Sequence, residues 1–527
     1  MINFVPKKMT KEGYEIRLGF QGGSFGTIAE NIGLGAKKDN VDIYAAQSLI
    51  STLGHDDHTA ANQRSYYVNT GMQLSDNWEV RLMANKVDAE TQSPNNPWDE
   101  STYWQNIERF QTNSHLMTFA LNNTYDKAHG FLKAYYNDTQ FYLRGENFST
   151  PSNRATSNQS ILMYGLRGRE TFNPWDGGEI LVGFDLDAIN LHNSQRTWQT
   201  DTTTDWDFPF QTVFSPYIAA SHTFGDKDAF HLTPSAGIRY NNNSVFRDAL
   251  SPQAGIVLGY GNTNLAFNYA RGVNYPSPVV LQGFLQNKDL PGWLDTKDIK
   301  PEIVDHYEVS LSHNQPDLFS VSATYFHDDG RNRLRACMTP MAMMQPATTS
   351  FFTSSIAKYT IDGLELAGSV KPLDNLELFA GATWLWAKAK GDDDKTREEV
   401  PYTPSFALQA GFTWDFLEHF RLSGDFQHLR NVYDATYMRG STQKGTSNFQ
   451  KLTDNDRLPD SSVLNLRLDY LFKCDSLHIE EGKLFVAVNN VLNSPYAYSL
   501  EKSGDGSDRK LYYMPGTSAM VGFDVTF

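Results

Sequence analysis

Three groupings of side chains in this 527-residue chain carry chemistry-bearing residue types at close spacing. His55-Asp56-Asp57-His58 and His327-Asp328-Asp329 set imidazoles beside carboxylates, a donor set that suits several divalent metals. The run Cys337-Met338-Thr339-Pro340-Met341-Ala342-Met343-Met344 offers thiol and thioether sulfur, soft donors that favour reduced copper. The metal candidates are therefore His55, His58, Met341, Met343 and Met344. Each has a plainer reading beside it. A loop rich in Asp and His is ordinarily just solvated, with no ligand count or supporting shell fixed by its sequence. A Met-rich loop is also adaptable apolar surface. Nucleophilic catalysis has no frame, because Ser, His and Asp fall in no Gly-x-Ser-x-Gly motif. A Gly-rich phosphate loop and a Cys/His zinc spacing are equally missing. Catalysis is not expected, nor a cofactor.

The elements that hold these residues are read from alternation. Ala519, Val521, Phe523, Val525 and Phe527 fall on one face of an extended segment, and Met520, Gly522, Asp524 and Thr526 on the other. The same period of two appears in Leu464, Leu466, Leu468 and Tyr470 against Asn465, Arg467 and Asp469. Phe420, Leu422 and Phe426 likewise alternate with Arg421, Ser423, Asp425 and Gln427. No stretch approaches the roughly 18 to 20 apolar residues of a membrane helix, so any crossing must be made by strands of about 9 to 11 residues. Aromatic residues reach 13% while mean hydropathy stays at -0.48, as expected when apolar side chains are dispersed on alternate positions. A net charge of -16 argues against nucleic acid as a partner. Cys337 and Cys474 are the two cysteines and are expected at opposite ends of the wall, as free thiols.

The connections supply an independent test. Short Gly-, Asn-, Asp- and Pro-rich turns are predicted at 75–77, 126–130, 173–178, 225–227, 261–264, 315–317 and 373–375. Between them run longer polar stretches near 52–61, 90–113, 145–157, 194–207, 275–301, 336–350, 389–402, 435–458 and 500–511, with a tight outer link at Arg247-Asp248. Alternating short and long connections are the mark of a transmembrane barrel, and the count gives about 22 antiparallel strands. A propeller also has many short strands, but gives no reason for that alternation.

Four places, the first of them a pair of neighbouring segments, then resemble a known family, the TonB-dependent outer-membrane receptors. Asn268-Tyr269-Ala270-Arg271-Gly272-Val273-Asn274-Tyr275-Pro276 resembles the strand end before a long outer loop. Lys300-Pro301-Glu302 with His306-Tyr307-Glu308 resembles the start of the next strand. Tyr359-Thr360-Ile361-Asp362-Gly363-Leu364-Glu365 resembles the family's Gly-x-Glu strand, and Val488-Asn489-Asn490-Val491-Leu492-Asn493-Ser494-Pro495-Tyr496 its penultimate-strand signature. Ile2-Asn3-Phe4-Val5-Pro6-Lys7-Lys8, followed by Gly13-Tyr14-Glu15 and Gly23-Ser24-Phe25-Gly26, resembles the seam between plug and barrel. On that reading residues 1–10 are a remnant of the junction and 11–527 the barrel. The N-terminus also lacks the features of a secretory signal. Signal, TonB-contacting segment and plug are therefore expected to be missing from the chain.

The resemblance implies a multi-pass barrel of the outer membrane, in contact with its lipid. Phe527 would be the address read by the barrel-assembly machinery. The TonB system becomes a partner only if a plug and TonB-contacting segment are supplied. The implied cargo is a small-molecule metal chelate, a ferric siderophore first; cobalamin, haem, copper and oligosaccharide stay open, as does a plugless passive pore. Aromatic and cationic residues in the outer loops could grip a planar chelate, which selects Tyr103, Trp104, Trp293, Tyr437 and Arg439. Their competing role is the aromatic girdle found at membrane interfaces.

Overall fold

A computed structural model describes residues 6–57, 59–93, 106–147, 155–197, 202–226, 228–276, 300–338, 351–390, 396–397, 400, 402–434, 454–502 and 509–527. Twenty-two antiparallel strands form one closed barrel. In chain order they are β1 Gly13–Gly23, β2 Thr27–Lys38, β3 Val41–Thr52, β4 Ala61–Ser75, β5 Trp78–Ser93, β6 Asn106–Tyr125, β7 Ala128–Asn147 and β8 Ala155–Phe172. Next come β9 Gly178–Thr197, β10 Gln211–His222, β11 Phe230–Asn243, β12 Ala249–Tyr260, β13 Thr263–Asn274, β14 Glu302–Gln315 and β15 Phe319–Met338. The wall is completed by β16 Phe351–Leu373, β17 Leu376–Lys390, β18 Phe406–Phe416, β19 Phe420–Arg430, β20 Ser461–Cys474, β21 Ile479–Asn489 and β22 Ser518–Thr526. Each strand pairs with the next, and β22 returns to β1 through the register Arg17↔Thr526 to Gly23↔Met520. Phe527 extends that seam: its N–H donates to the Ile16 carbonyl at 2.9 Å, and the Ile16 N–H donates back at 3.2 Å. A closed ring leaves no strand edge unpaired, which is what lipid demands. Among the described residues no helix is long and apolar enough to cross a membrane.

Alternation sorts every strand into two faces. Ile28, Ile32 and Leu34 of β2, Leu82 of β5, Phe119 of β6, Leu484 and Val486 of β21, and Val521 and Phe523 of β22 are all exposed on the outer face. The intervening positions carry Asn31, Gly33, Gly35, Arg81, Lys483 and Asp524, which face the lumen. The hydrophobic effect here covers the outside of the wall with lipid rather than filling a centre, so few residues are fully buried.

Every second connection is short, as expected, and places those turns on the periplasmic side. Further tight turns follow Lys38, Phe416 and Cys474. Asp39, Leu417 and His478 adopt positive φ there (54°, 51° and 56°), a choice that composition advertises at Asp39 but poorly at Leu417. The segment Gly23-Ser24-Phe25-Gly26 forms the link between β1 and β2 on the long-loop side. Phe25 and Gly26 take φ of 62° and 61°, which turns the chain in three residues. Cys337 lies at the outer end of β15, and Cys474, a free thiol, at the opposite end of β20.

Candidate functional site

The lumen and its two mouths hold the polar chemistry. At the periplasmic mouth, residues 6–10 run along the inside of the wall formed by β2 to β5. The Lys7 carbonyl accepts from the Tyr67 hydroxyl (3.1 Å) and from Asn69 Nδ2 (2.9 Å), the Lys7 ammonium is bonded to Glu15, and Lys8 reaches Glu79 at 3.3 Å. Met9 is buried over Gly35, where a Cβ would meet its sulfur at 2.3 Å, so only glycine admits the segment this close. Arg81 anchors the floor. Its two terminal nitrogens donate to Asp42 (3.1 and 2.7 Å), to Asn69 (3.0 Å) and to Glu79 (2.7 Å). A forked guanidinium matched to carboxylates is a geometry that a lysine could not reproduce. Beside this strap a cleft of about 1210 Å³ opens along the lumen, bordered by Arg17, Tyr44 and Tyr67 on one side and Arg421, Lys483 and Asp524 on the other.

Two further ladders of charge line the wall. On β7 to β11, the Tyr135 hydroxyl is bonded to Asp187, Arg239 pairs with Asp185 at 2.7 Å, and Arg167 and Arg239 sit 5.2 and 5.4 Å over the rings of Tyr135 and Tyr217. On β18 to β22, Arg421 grips Asp415 through both a 2.6 and a 2.9 Å bond, Lys483 meets Asp524 at 3.2 Å, and Arg467 stacks 3.8 Å over Phe485. Opposite charges on adjacent strands keep the wall wettable and stiff.

The extracellular mouth is built differently. Phe246, fully buried, packs with Leu191, Phe208 and Val245, and stacks on Tyr275 with ring centroids 5.9 Å apart. The Asn243 side-chain oxygen accepts from the backbone N–H groups of Val245 (2.9 Å) and Phe246 (3.1 Å), holding the link over that core. Burial, with the nearby Asp248 adding to it, pushes the Tyr275 phenol up to about 12, so it stays protonated and donates to the Arg247 carbonyl at 3.3 Å. Across the mouth Asp434, also buried, accepts from the Tyr402 hydroxyl (2.6 Å), the Ser499 hydroxyl (2.6 Å) and the Leu500 N–H (2.7 Å), tying three loops to one carboxylate.

Of the residues singled out by sequence, Tyr103, Trp104, Trp293, Tyr437, Arg439, His58, Met341, Met343 and Met344 lie outside the described residues. His55 lies within them: its Nε2 is 2.8 Å from the Tyr513 carbonyl and its ring meets Phe25 edge-on. The His327-Asp328-Asp329 grouping is divided by the wall. His327 points outward to Asp362 (2.9 Å), whereas Asp328 points inward to His306 (2.6 Å). Among the described residues no group of three His, Cys, Asp or Glu side chains is placed to hold a metal. The lumenal ladders and the Asp434 hub were not anticipated; inward positions on charged strands such as Arg421 and Arg467 were the signal that pointed to the ladders.

Residues 35–491 match the family described as TonB dependent receptor-like, beta-barrel. No curated protein sequence matches the chain. Its fold is similar to that of solved structures at low identity. The copper transporter OprC aligns with a TM-score of 0.75 and 15% identity, over 99% of this chain and 81% of its own. The ferripyoverdine receptor of the outer membrane of Pseudomonas aeruginosa, bound to ferripyoverdine, aligns at 0.71 and 13%, over 99% of this chain and 73% of its own. The ferric yersiniabactin uptake receptor FyuA from Yersinia pestis gives 0.72 and 12%, over 98% of this chain and 81% of its own. With most of its length matched by the family model, and with a closed barrel of twenty-two strands, the chain belongs to the TonB-dependent receptors and is an outer-membrane barrel of that family.

Proposed function

We propose that this barrel forms the wall of a receptor that imports a ferric siderophore through the outer membrane with energy delivered by TonB. The observation that carries the reading is the charged, hydrogen-bonded inner wall of a closed barrel whose sequence matches the receptor family. A lumen of about 22 strands is wide enough to need filling, and a polar wall suits a folded plug that must be gripped yet remain movable. Residues 1–10 are proposed as the junction to that plug, supported by the lumenal course of residues 6–10 and their anchorage on Tyr67 and Asn69. The chelate would be met at the extracellular mouth, with Tyr103, Trp104, Trp293, Tyr437 and Arg439 supplying aromatic faces and a cation. The barrel-assembly machinery would read the strand ending at Phe527.

A copper cargo is the second reading, favoured by the Cys337–Met344 sulfur run and by likeness to a structure described as a copper transporter. Tryptophan fluorescence of the purified chain, titrated with a ferric hydroxamate, a ferric catecholate and cuprous ion, separates the two. Saturable quenching by a ferric chelate, lost in Trp104→Ala and Trp293→Ala, is expected. Saturation by copper alone, lost when Met341, Met343 and Met344 become Leu, would replace iron with copper. A large steady conductance in planar bilayers without binding of either would make the chain a passive pore.

A further inference from the structure

On the lipid-facing side of β5 to β9, close to the short-turn rim, one row of the wall carries a carboxylate. The register sets Trp78 opposite Asn123, Asn123 opposite Gly130, Gly130 opposite Glu170 and Glu170 opposite Val182. Leu82, Phe119, Leu132, Leu166 and Val182, all exposed, share the parity of this row along their strands, so the row faces outward. The Glu170 side chain lies across Gly130, and its Oε1 accepts from Asn123 Nδ2 at 2.9 Å. A Cβ at Gly130 would run into the other carboxylate oxygen, so glycine is what lets the side chain lie flat on the wall. The exposed rim aromatics Tyr125 and Phe172 stand two residues, about 7 Å, nearer the periplasm, and Trp78 Nε1 donates to the Tyr125 hydroxyl at 2.7 Å. Glu170 is thus level with an aromatic girdle, where hydrocarbon gives way to headgroups.

Among the described residues no cation neutralises that carboxylate. Asn123 is its one hydrogen-bond donor there, and Oε2 accepts from none. The cations of these strands alternate onto the other face: Lys133 and Arg169 lie 5.3 and 5.2 Å over the Phe131 ring, and Arg167 lies 5.2 Å over Tyr135, all in the lumen. Toward the membrane centre the lipid-facing wall opens into an apolar groove of about 830 Å³, bordered by Leu121, Leu132, Val182, Phe184 and Phe214. A half-buried anion at the head of an apolar groove calls for a ligand with a cation at one end and hydrocarbon at the other. We propose that this groove binds a phospholipid of the periplasmic leaflet by its primary ammonium headgroup, as in phosphatidylethanolamine. The ammonium donates charge-assisted hydrogen bonds to Glu170 Oε2, and an acyl chain lies over Leu132, Val182 and Phe184. A quaternary ammonium carries the same charge without an N–H to donate, and a purely anionic headgroup is repelled, so the site discriminates among lipids of equal chain length.

Native mass spectrometry of the full chain in detergent, with phosphatidylethanolamine, phosphatidylcholine and phosphatidylglycerol of identical acyl chains, tests this. Phosphatidylethanolamine should be retained about tenfold more than either of the others, the worth of one hydrogen bond to a charged group. Glu170→Gln keeps the length of the side chain and an acceptor for Asn123 but removes the charge, and should erase that preference. Equal or reversed retention by the unchanged chain would overturn the proposal, as would a preference that survives in Glu170→Gln. Photocross-linking of the unchanged chain with a phosphatidylethanolamine carrying a diazirine in its acyl chain locates the site even where the variant fails to fold. Adducts on β6 to β10 are expected, and adducts confined to other strands would overturn the assignment.

Discussion

The two mouths of the barrel are secured by opposite means. The periplasmic mouth is held by charge: Arg81, with side-chain exposure of 13%, is clamped between Asp42, Asn69 and Glu79 under a strap of main chain. The extracellular mouth is held by an apolar core around Phe246 and by one carboxylate, Asp434, that gathers loop donors. A clamp of paired charges is strong when whole and costly when one partner is lost, because the remaining charge is left desolvated. An apolar core fails more gradually, by the size of the cavity left behind. The end that meets the periplasm is thus built for all-or-none holding, and the end that meets ligands for graded repacking.

Substitutions can break or sharpen that contrast. Arg81→Ala strands Asp42 and should cost about 4 kcal/mol, read as a lower urea midpoint for the heat-modifiable folded band. Phe246→Ala should cost about 3 kcal/mol in the same titration while leaving the periplasmic strap protected from hydrogen exchange. A larger loss for Phe246 than for Arg81 would reverse the assignment of the stronger end. Asp434→Ala orphans the Tyr402, Ser499 and Leu500 donors and should cost about 2 kcal/mol, with proteolytic sensitivity rising near residues 454–502 only. The smallest effect is one of pH. Burial raises the Asp460 carboxyl, but the Arg457 guanidinium and the Asn431 N–H outweigh it and hold it below the usual carboxylate range. A lowered folded value means this contact stabilises the mouth above ordinary carboxylate pH and is lost as pH falls through the lowered value. Amide exchange around 454–460 should therefore be flat from neutral pH to about 5 and accelerate, relative to the intrinsic rate, below about 4. Unchanged relative exchange down to pH 2 would remove Asp460 from the description of that mouth.

Much of the barrel was legible because each strand writes its two environments on alternate residues. Leu464 to Tyr470 and Ala519 to Phe527 needed only parity, and turns such as Asp76-Asn77 and Asp374-Asn375 carry their own chemistry. The turn after Phe416 was harder, since Leu417 and His419 are not turn formers and the bend rests on positive φ at Leu417. Arg421 and Arg467 could be assigned inward from sequence, but their partners could not. Pairing Arg421 with Asp415 across strands, or Arg81 with Asp42 across two, depends on register, which single-strand patterning leaves free. The Asp434 hub was the least visible, because its donors come from loops more than sixty positions downstream as well as from Tyr402.

Closure of the ring turns register from a local property into a conserved total. In an open sheet a strand can slip against one neighbour and leave the others alone. Here β22 rejoins β1, so any slip must be returned somewhere around the circumference. The register shifts beside Leu373, Ser75 and Cys474 all lie at the short-turn rim, where an extra residue can be absorbed without moving the membrane-spanning ladder. An odd-numbered deletion in mid-strand has no such outlet. It would exchange lumen and lipid faces over half a strand, which makes the count of residues between rims, more than their identity, the quantity the barrel must keep.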